Sequence, residues 1–561
     1  MTTAASRRMN ILLVSGLGPE FPGSALLAGS SFEQLPAASP GVGPARPDRF
    51  DMSTLRTTEA EGCLPLLRPR KASDRIRPVS SVSVSRPTGG SAAAGPHLAP
   101  HLTTFTLQSI LEAAGYAHDT FPTENIWAGT GGEPAEDFDV VLLSTTFVWD
   151  RASLAKCVRW VQERFPASLL VLGGQYSNLK YRRVLSEHPF VRYIVRGDAE
   201  VALPMLLDAL RTGGSVGGIP NLAWCDPDTG KVCCTEVQYI DLDVVASPSL
   251  TGNFPVVPYE SMRGCPFSCK YCSFPAASPK WRYKSAEKIA ADFSRYRAEN
   301  GAQYMKALDS TFTVPPIRLR SLLPMLSSVG VAWEAYTRAN SIRDKITVRS
   351  LEDAHCRALS IGFESMSDTT LDYMRKQVRA QANRLAYELL AGSSIQYWIS
   401  FIVGYPGESP ELFQATRDFL VSDYSGQFAL YPFMLNDETM PVWQDAARFQ
   451  LEVFDPDGES EHWRHIGMDS ETARDLQIRT LREVRWKNSH AMQRTWQHDY
   501  ELPLLPARSP AENTVVEKLV DRLGMVSADF TEKAEIKDRT SSLLASLAAH
   551  GIGRHPAETR D

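Results

Sequence analysis

Long apolar runs are scarce at the start of this 561-residue chain. The only early one, Ile11-Leu-Leu-Val14, falls far short of the roughly 20 apolar residues of a membrane span and is too short for a signal peptide. There is no extended run of lysine and arginine either: 59 basic residues against 65 acidic ones leave a net charge of −6, which argues against a dedicated nucleic-acid binder. Cysteine is sparse. The six cysteines at 63, 157, 225, 233, 234 and 356 form no disulfide framework, and no second CxxC follows the one described below, so the two separated pairs of a typical zinc site are missing. These absences predict a cytoplasmic protein with no membrane or nucleic-acid partner. Its length predicts two or three domains.

What is present is a loop of three cysteines, Cys265, Cys269 and Cys272, in Arg263-Gly-Cys-Pro-Phe-Ser-Cys-Lys-Tyr-Cys-Ser-Phe274. A CxxxCxxC spacing suits three corners of an iron–sulfur cube and leaves a fourth iron without a cysteine from the motif. The alternative is a structural metal loop completed by histidines. His97 with His101 lies far upstream and His462 with His465 far downstream, neither at zinc-finger distance.

Around this loop the chain alternates short apolar strands and helices. Strands are expected at 9–16, 138–144, 168–174 and 191–196, with helices at 103–115 and 151–164, which predicts a doubly wound parallel sheet over residues 1–245. Between about 36 and 100 the pattern gives way to Pro, Gly, Ser, Ala and Arg, an irregular insertion or a long loop folding over a ligand. From 246 to 434, strands are expected at 255–259, 303–308, 331–337, 357–363, 396–402 and 427–432, with helical stretches such as 284–299 and 369–391. Six such repeats make a (βα)6 partial barrel, whose chemistry belongs on the loops after the strands. The cysteine loop falls there, as do Asp309-Ser-Thr311, Arg338 with Asn340, Glu364-Ser365 and Gly404-Tyr-Pro-Gly-Glu408. Residues 435–561 read as a charged helical domain. Trp443, His462, Trp463, His465, Trp486, His490, Trp496 and His498 either pack its core or line a substrate site capping the barrel.

With Gly264 before the first cysteine and Tyr271 before the last, the loop resembles that of radical S-adenosylmethionine (SAM) enzymes. Together with Ser144-Thr-Thr146, Gly173-Gly-Gln-Tyr176, Arg196-Gly-Asp-Ala-Glu200, Ile361-Gly-Phe-Glu-Ser365 and Gly404–Glu408, the pattern resembles the cobalamin-dependent, class B radical SAM methyltransferases over about residues 9–30 and 100–435. The resemblance implies a 4Fe–4S cluster on Cys265, Cys269 and Cys272, with SAM and cobalamin as further cofactors. It implies Arg338 beside the SAM carboxylate, Glu364 at the ribose hydroxyls, Tyr271 and Phe274 near the adenine, and Ser365 among the cofactor-binding residues. Ser144, Thr145, Thr146, Gly173, Gly174 and Gln175 would meet cobalamin, the glycines letting backbone pass close to it. Asp309 and Glu287 are candidates for a protein ligand to the fourth iron. No residue is assigned as catalytic.

One departure matters. The Asp-x-His-x-x-Gly that places a histidine under cobalt in the commonest cobalamin modules is missing. That absence, the length and the Trp/His-bearing tail make the chain most similar, within the family, to the tryptophan C2-methyltransferases of thiopeptide biosynthesis. There the implied chemistry is methyl transfer from SAM to cobalt and on to indole C2, with L-tryptophan as the small-molecule substrate and an external electron donor as partner. Competing expectations are a radical rearrangement or oxidation that keeps cobalamin without methyl transfer, and a non-catalytic iron–sulfur or corrinoid carrier.

Overall fold

The computed structural model of the chain describes residues 9–16, 55–57, 101–128, 134, 137–148, 150–435, 438–454, 462–493 and 508–554. The expected insertion lies outside these residues except for Leu55–Thr57, which pairs antiparallel with Ile552–Arg554. Cys63, His97, Trp496 and His498 also lie outside them.

The first sheet has seven strands: β1 (Ile11–Val14), β2 (His118–Phe121), β3 (Val140–Ser144), β4 (Leu169–Gly173), β5 (Val191–Val195), β6 (Leu222–Cys225) and β7 (Val232–Cys234). Their order is β2-β1-β3-β4-β5-β6-β7, parallel through β5 and antiparallel from there on. β1 and β3 are continuous apolar runs because helices cover both faces of the sheet. Leu12, Val14, Val141 and Leu143 pack on one side, Ile11, Leu13, Val140 and Leu142 on the other. Helix α1 (Leu102–Ala113) lies on one face and α2 (Arg151–Arg164) on the other, the latter starting at Asp150, whose carboxylate accepts from the Ser153 amide. The order 2-1-3-4-5 places a switch point between β1 and β3, where open α/β sheets take their ligands. The periodicity reading missed β2, a four-residue edge strand with two charged or imidazole side chains, and the β6–β7 hairpin.

The second sheet is the expected partial barrel, β8 (Val256–Tyr259), β9 (Tyr304–Ala307), β10 (Ala332–Arg338), β11 (Cys356–Glu364), β12 (Gln396–Val403) and β13 (Gly426–Pro432), all parallel and in sequence order. Two differences bear on function. The helical stretch expected at 369–391 breaks into Asp368–Tyr373 and Ala380–Ala391, since Arg375 and Gln377 adopt φ of 50° and 57°, a left-handed conformation that no helix continues through. A seventh strand, β14 (Ala491–Gln493), pairs parallel with β13. It comes from the segment expected to be a separate helical unit, so that segment completes the barrel sheet.

Candidate functional site

Two cavities meet at the C-terminal ends of the two sheets. The smaller, about 210 Å³, is lined by Cys265, Cys269 and Cys272 together with Phe267, Tyr271, Arg338, Gly362, Glu364 and Lys376. The larger, about 360 Å³, is lined from the first sheet by Ser144, Thr146, Gly173, Gly174, Gln175, Asp198 and Glu200, and from the barrel by Arg263, Leu308 and Asp309. Phe274 and Ser310 line both.

The three thiols share the smaller cavity without converging as ligands of a single ion; among the described residues no cluster of His, Cys, Asp or Glu does. Cys269 is buried, and burial pushes the Cys272 thiol up to about 11. The thiolate is the form that binds metal, so the positive charge of bound iron would have to drive the deprotonation of Cys272. Polynuclear clusters take one cysteine per iron, and three thiols lining one cavity suit them.

Arg338 ends β10 with 5% of its surface exposed. Its Nη1 lies 3.5 Å from Cys269 Sγ, its Nη2 donates to the Lys376 carbonyl, and its guanidinium carbon sits 3.7 Å from the centre of the Phe267 ring. Two of its five N–H groups are thus engaged, and Nε has no partner.

Glu364 adopts φ 66° at the end of β11 and pairs with Lys376, Nζ to Oε1, at 2.8 Å. Tyr271 joins them, donating to Glu364 at 3.1 Å and accepting from Lys376 at 2.9 Å. Burial, reinforced by the Glu364 carboxylate, holds the Tyr271 phenol well above its ordinary range. Lys376 carried no periodic signal in the sequence, and only the broken helix brings it here.

Several expected site residues have other positions. Ser365 lies beneath the cavity wall, accepting from the Ser367 amide and pairing with the Thr416 hydroxyl. Asp309 lines only the larger cavity. Its Oδ1 accepts from the Ser261 and Met262 amides and its Oδ2 from the Ser261 hydroxyl, so the carboxylate braces the chain ahead of the cysteines. Burial raises it to about 6. Glu287 is exposed in the first turn of the helix Ala286–Asn300 and lines neither cavity.

In the first sheet, Ser144, Thr146, Gly173, Gly174 and Gln175 line the larger cavity, whereas Thr145 is fully buried behind it. The Thr145 hydroxyl donates to the Gly173 carbonyl and accepts from the Ser177 amide, fastening the loop after β3 to the end of β4 and the helix Gln175–Leu179 that follows it. Gly174 has φ 105°, and a Cβ there would sit 2.6 Å from the Thr146 amide nitrogen. Its missing side chain therefore serves this loop-to-loop contact.

Among the described residues, the C-terminal aromatics expected around a substrate line neither cavity. Trp463 is fully buried, donates to the Phe433 carbonyl and stacks on His465 with centroids 5.1 Å apart. His465 Nδ1 accepts from the Gly407, Gly467 and Met468 amides, which leaves Nε2 to donate to the Gly404 carbonyl. This pair supports Gly404–Glu408 from below. Trp486 donates to Asp529 and packs against Phe530. Core packing is the role of Trp463, His465 and Trp486, because large rings are buried most economically against other apolar groups.

Residues 259–420 match the family model of the Radical SAM superfamily. Among curated proteins the chain is similar to an uncharacterized methyltransferase of Pyrococcus horikoshii, 26% identical over 50% of this chain and 62% of that protein. It is also similar to the anaerobic magnesium-protoporphyrin IX monomethyl ester cyclase of Cereibacter sphaeroides, 25% identical over 62% of this chain and 60% of that one. A third relative is the 2-(S-pantetheinyl)-carbapenam-3-carboxylate methyltransferase of Streptantibioticus cattleyicolor, 26% identical over 57% and 50%. The chain thus spans about half to three fifths of the length of these relatives. Among solved structures it resembles the radical SAM methyltransferase TsrM of Kitasatospora setae, solved with cobalamin and a [4Fe-4S] cluster. The TM-score is 0.55 at 14% identity, covering 80% of this chain and 96% of that one. At that identity the likeness shows a shared fold.

Proposed function

We propose that the protein is a cobalamin-dependent radical SAM C-methyltransferase of specialised metabolism, acting on tryptophan at C2, in the cytoplasm and with an external electron donor. The observation that carries this reading is the junction of the two cavities: three thiols line one, the switch point of a doubly wound sheet opens into the other, and Phe274 and Ser310 belong to both. Cys265, Cys269 and Cys272 would hold a 4Fe–4S cluster. Arg338, Glu364, Lys376 and Tyr271 supply two cations, a carboxylate and a phenol for the charged and hydroxyl groups of SAM, while Phe274 offers a ring near the adenine. Ser144, Thr146, Gly173, Gly174 and Gln175 would face cobalamin. When bound, these cofactors supply the methyl group and its carrier; the protein positions them and walls off water. TsrM has also been solved with tryptophan and a SAM analogue, which supports the choice of acceptor. The aromatic wall available here is Tyr336 and Trp398, which line the smaller cavity.

The test is anaerobic reconstitution with iron, sulfide and cobalamin, followed by incubation with SAM and tryptophan. S-adenosylhomocysteine together with 2-methyltryptophan is the expected outcome, lost when all three cysteines become alanine. 5′-Deoxyadenosine without S-adenosylhomocysteine would favour a radical rearrangement instead. Methylation of non-aromatic acceptors but not of tryptophan would overturn the indole assignment.

A further inference from the structure

Arg338 is a buried cation without a carboxylate partner. No ion pair joins it among the described residues, whereas the nearby Lys376 is matched by Glu364. An unpaired buried charge is costly and calls for an anion. What Arg338 faces is a thiol, Cys269, at 3.5 Å. Its plane is fixed by three segments at once: Phe267 beneath it, the Lys376 carbonyl at Nη2 and Cys269 at Nη1. Cys269 is itself only 6% exposed, so little solvent screens the contact. A cluster held by three thiolates is the anion that would complete this arrangement.

We propose that Arg338 is a positioning residue that sets the reduction potential of a cluster at the cysteine loop, by donating to the Cys269 sulfur. The inference rests on the reading that the loop holds such a cluster. A fixed positive charge and an N–H···S contact stabilise the reduced, more negative state over the oxidised one, which raises the potential and makes the reduced cluster a weaker electron donor. In a low-dielectric setting the effect is not diluted by water. A cluster tuned this way is biased against reductive cleavage of SAM and suits polar methyl transfer.

The experiment is a redox titration of the reconstituted protein in the absence of SAM, read by electron paramagnetic resonance of the reduced cluster, for wild type, Arg338→Gln, Arg338→Lys and Phe267→Leu. Without SAM, a residue that only bound the SAM carboxylate would leave the potential where it was. Arg338→Gln should shift the potential to more negative values. Arg338→Lys should fall between, since lysine keeps the charge but loses the planar fork and the ring stacking. Phe267→Leu, which frees the guanidinium, should shift it in the same direction as Arg338→Gln. If Arg338→Gln fails to hold iron, the other two variants decide. Equal potentials at equal iron content overturn the inference while leaving the cluster reading intact. A wild-type protein that takes up no iron removes the cluster reading itself, and this inference with it.

Discussion

Lys376 Nζ meets Glu364 Oε1 at 2.8 Å across the space left by the missing side chain of Gly362. A Cβ on Gly362 would lie 2.1 Å from that oxygen and 3.0 Å from Nζ. Three chain segments converge there: Glu364 from the end of β11, Lys376 from the break between two helices, and Tyr271 from the cysteine loop. The pair therefore ties the loop that carries the thiols to the barrel wall, in the cavity where a charged ligand would sit.

Removing the cation alone should cost about 3–5 kcal/mol, because Glu364 would be left as an uncompensated buried carboxylate. Urea unfolding of Lys376→Met should show that loss. Lys376→Met combined with Glu364→Gln should recover much of it, since neither charge remains. Losses that simply add in the double variant would mean the two residues are not coupled.

The barrel was legible because each strand is an apolar run closed by a polar or glycine-bearing loop, and the cysteine spacing identified the cavity before any geometry. What remained hidden had physical reasons. Lys376 reaches the cavity through two left-handed residues that no periodicity encodes. Ser365 and Thr145 stand next to site residues in sequence, but strand alternation and loop curvature turn their hydroxyls to backbone partners. The C-terminal tryptophans carried the right composition for a binding site, and composition does not distinguish a ligand wall from a core. β14 is three residues long, too short for any pattern to register.

Among the described residues, no histidine lines the larger cavity. His101, the imidazole at the N-terminus of α1, is buried with Nδ1 committed to Thr104, and burial holds it down at about 4. Cobalamin bound there should lack a nitrogen ligand beneath cobalt. Electron paramagnetic resonance of the cobalt(II) form is expected to show no nitrogen splitting, and its appearance would refute this.

Lys518 offers a stability test away from the cavities. It is buried in the helix Pro510–Asp529, donating to the Val484 and Ala491 carbonyls, and burial lowers it from 10.5 to about 7. Between pH 10.5 and 7 the unfolded chain therefore takes up a proton that the folded one does not. Stability should fall as pH drops through this window, by up to about 1.4 kcal/mol per unit from this group, and level off below 7. Urea midpoints of wild type and Lys518→Met should converge toward high pH. Parallel pH profiles would show that Lys518 keeps its charge in the fold.

The last expectation concerns the acceptor. Deleting everything after Leu435 would remove β14 from the barrel sheet and Trp463 from beneath Gly404. It should therefore destroy the fold, cluster included, and says nothing about substrate. The informative residues are Tyr336 on β10 and Trp398 on β12, which flank Ser360 in register across β11. Their rings stand at 83° with centroids 6.5 Å apart, over a residue small enough to leave both exposed to the cavity. Two faces at right angles form a corner in which a planar ring gains one stacked and one edge contact, each worth about 0.5–1.5 kcal/mol beyond burial. Trp398→Ala should weaken L-tryptophan binding about tenfold or more, read by calorimetry on the reconstituted protein, with iron content and SAM binding unchanged. An unaltered tryptophan affinity would place the indole elsewhere.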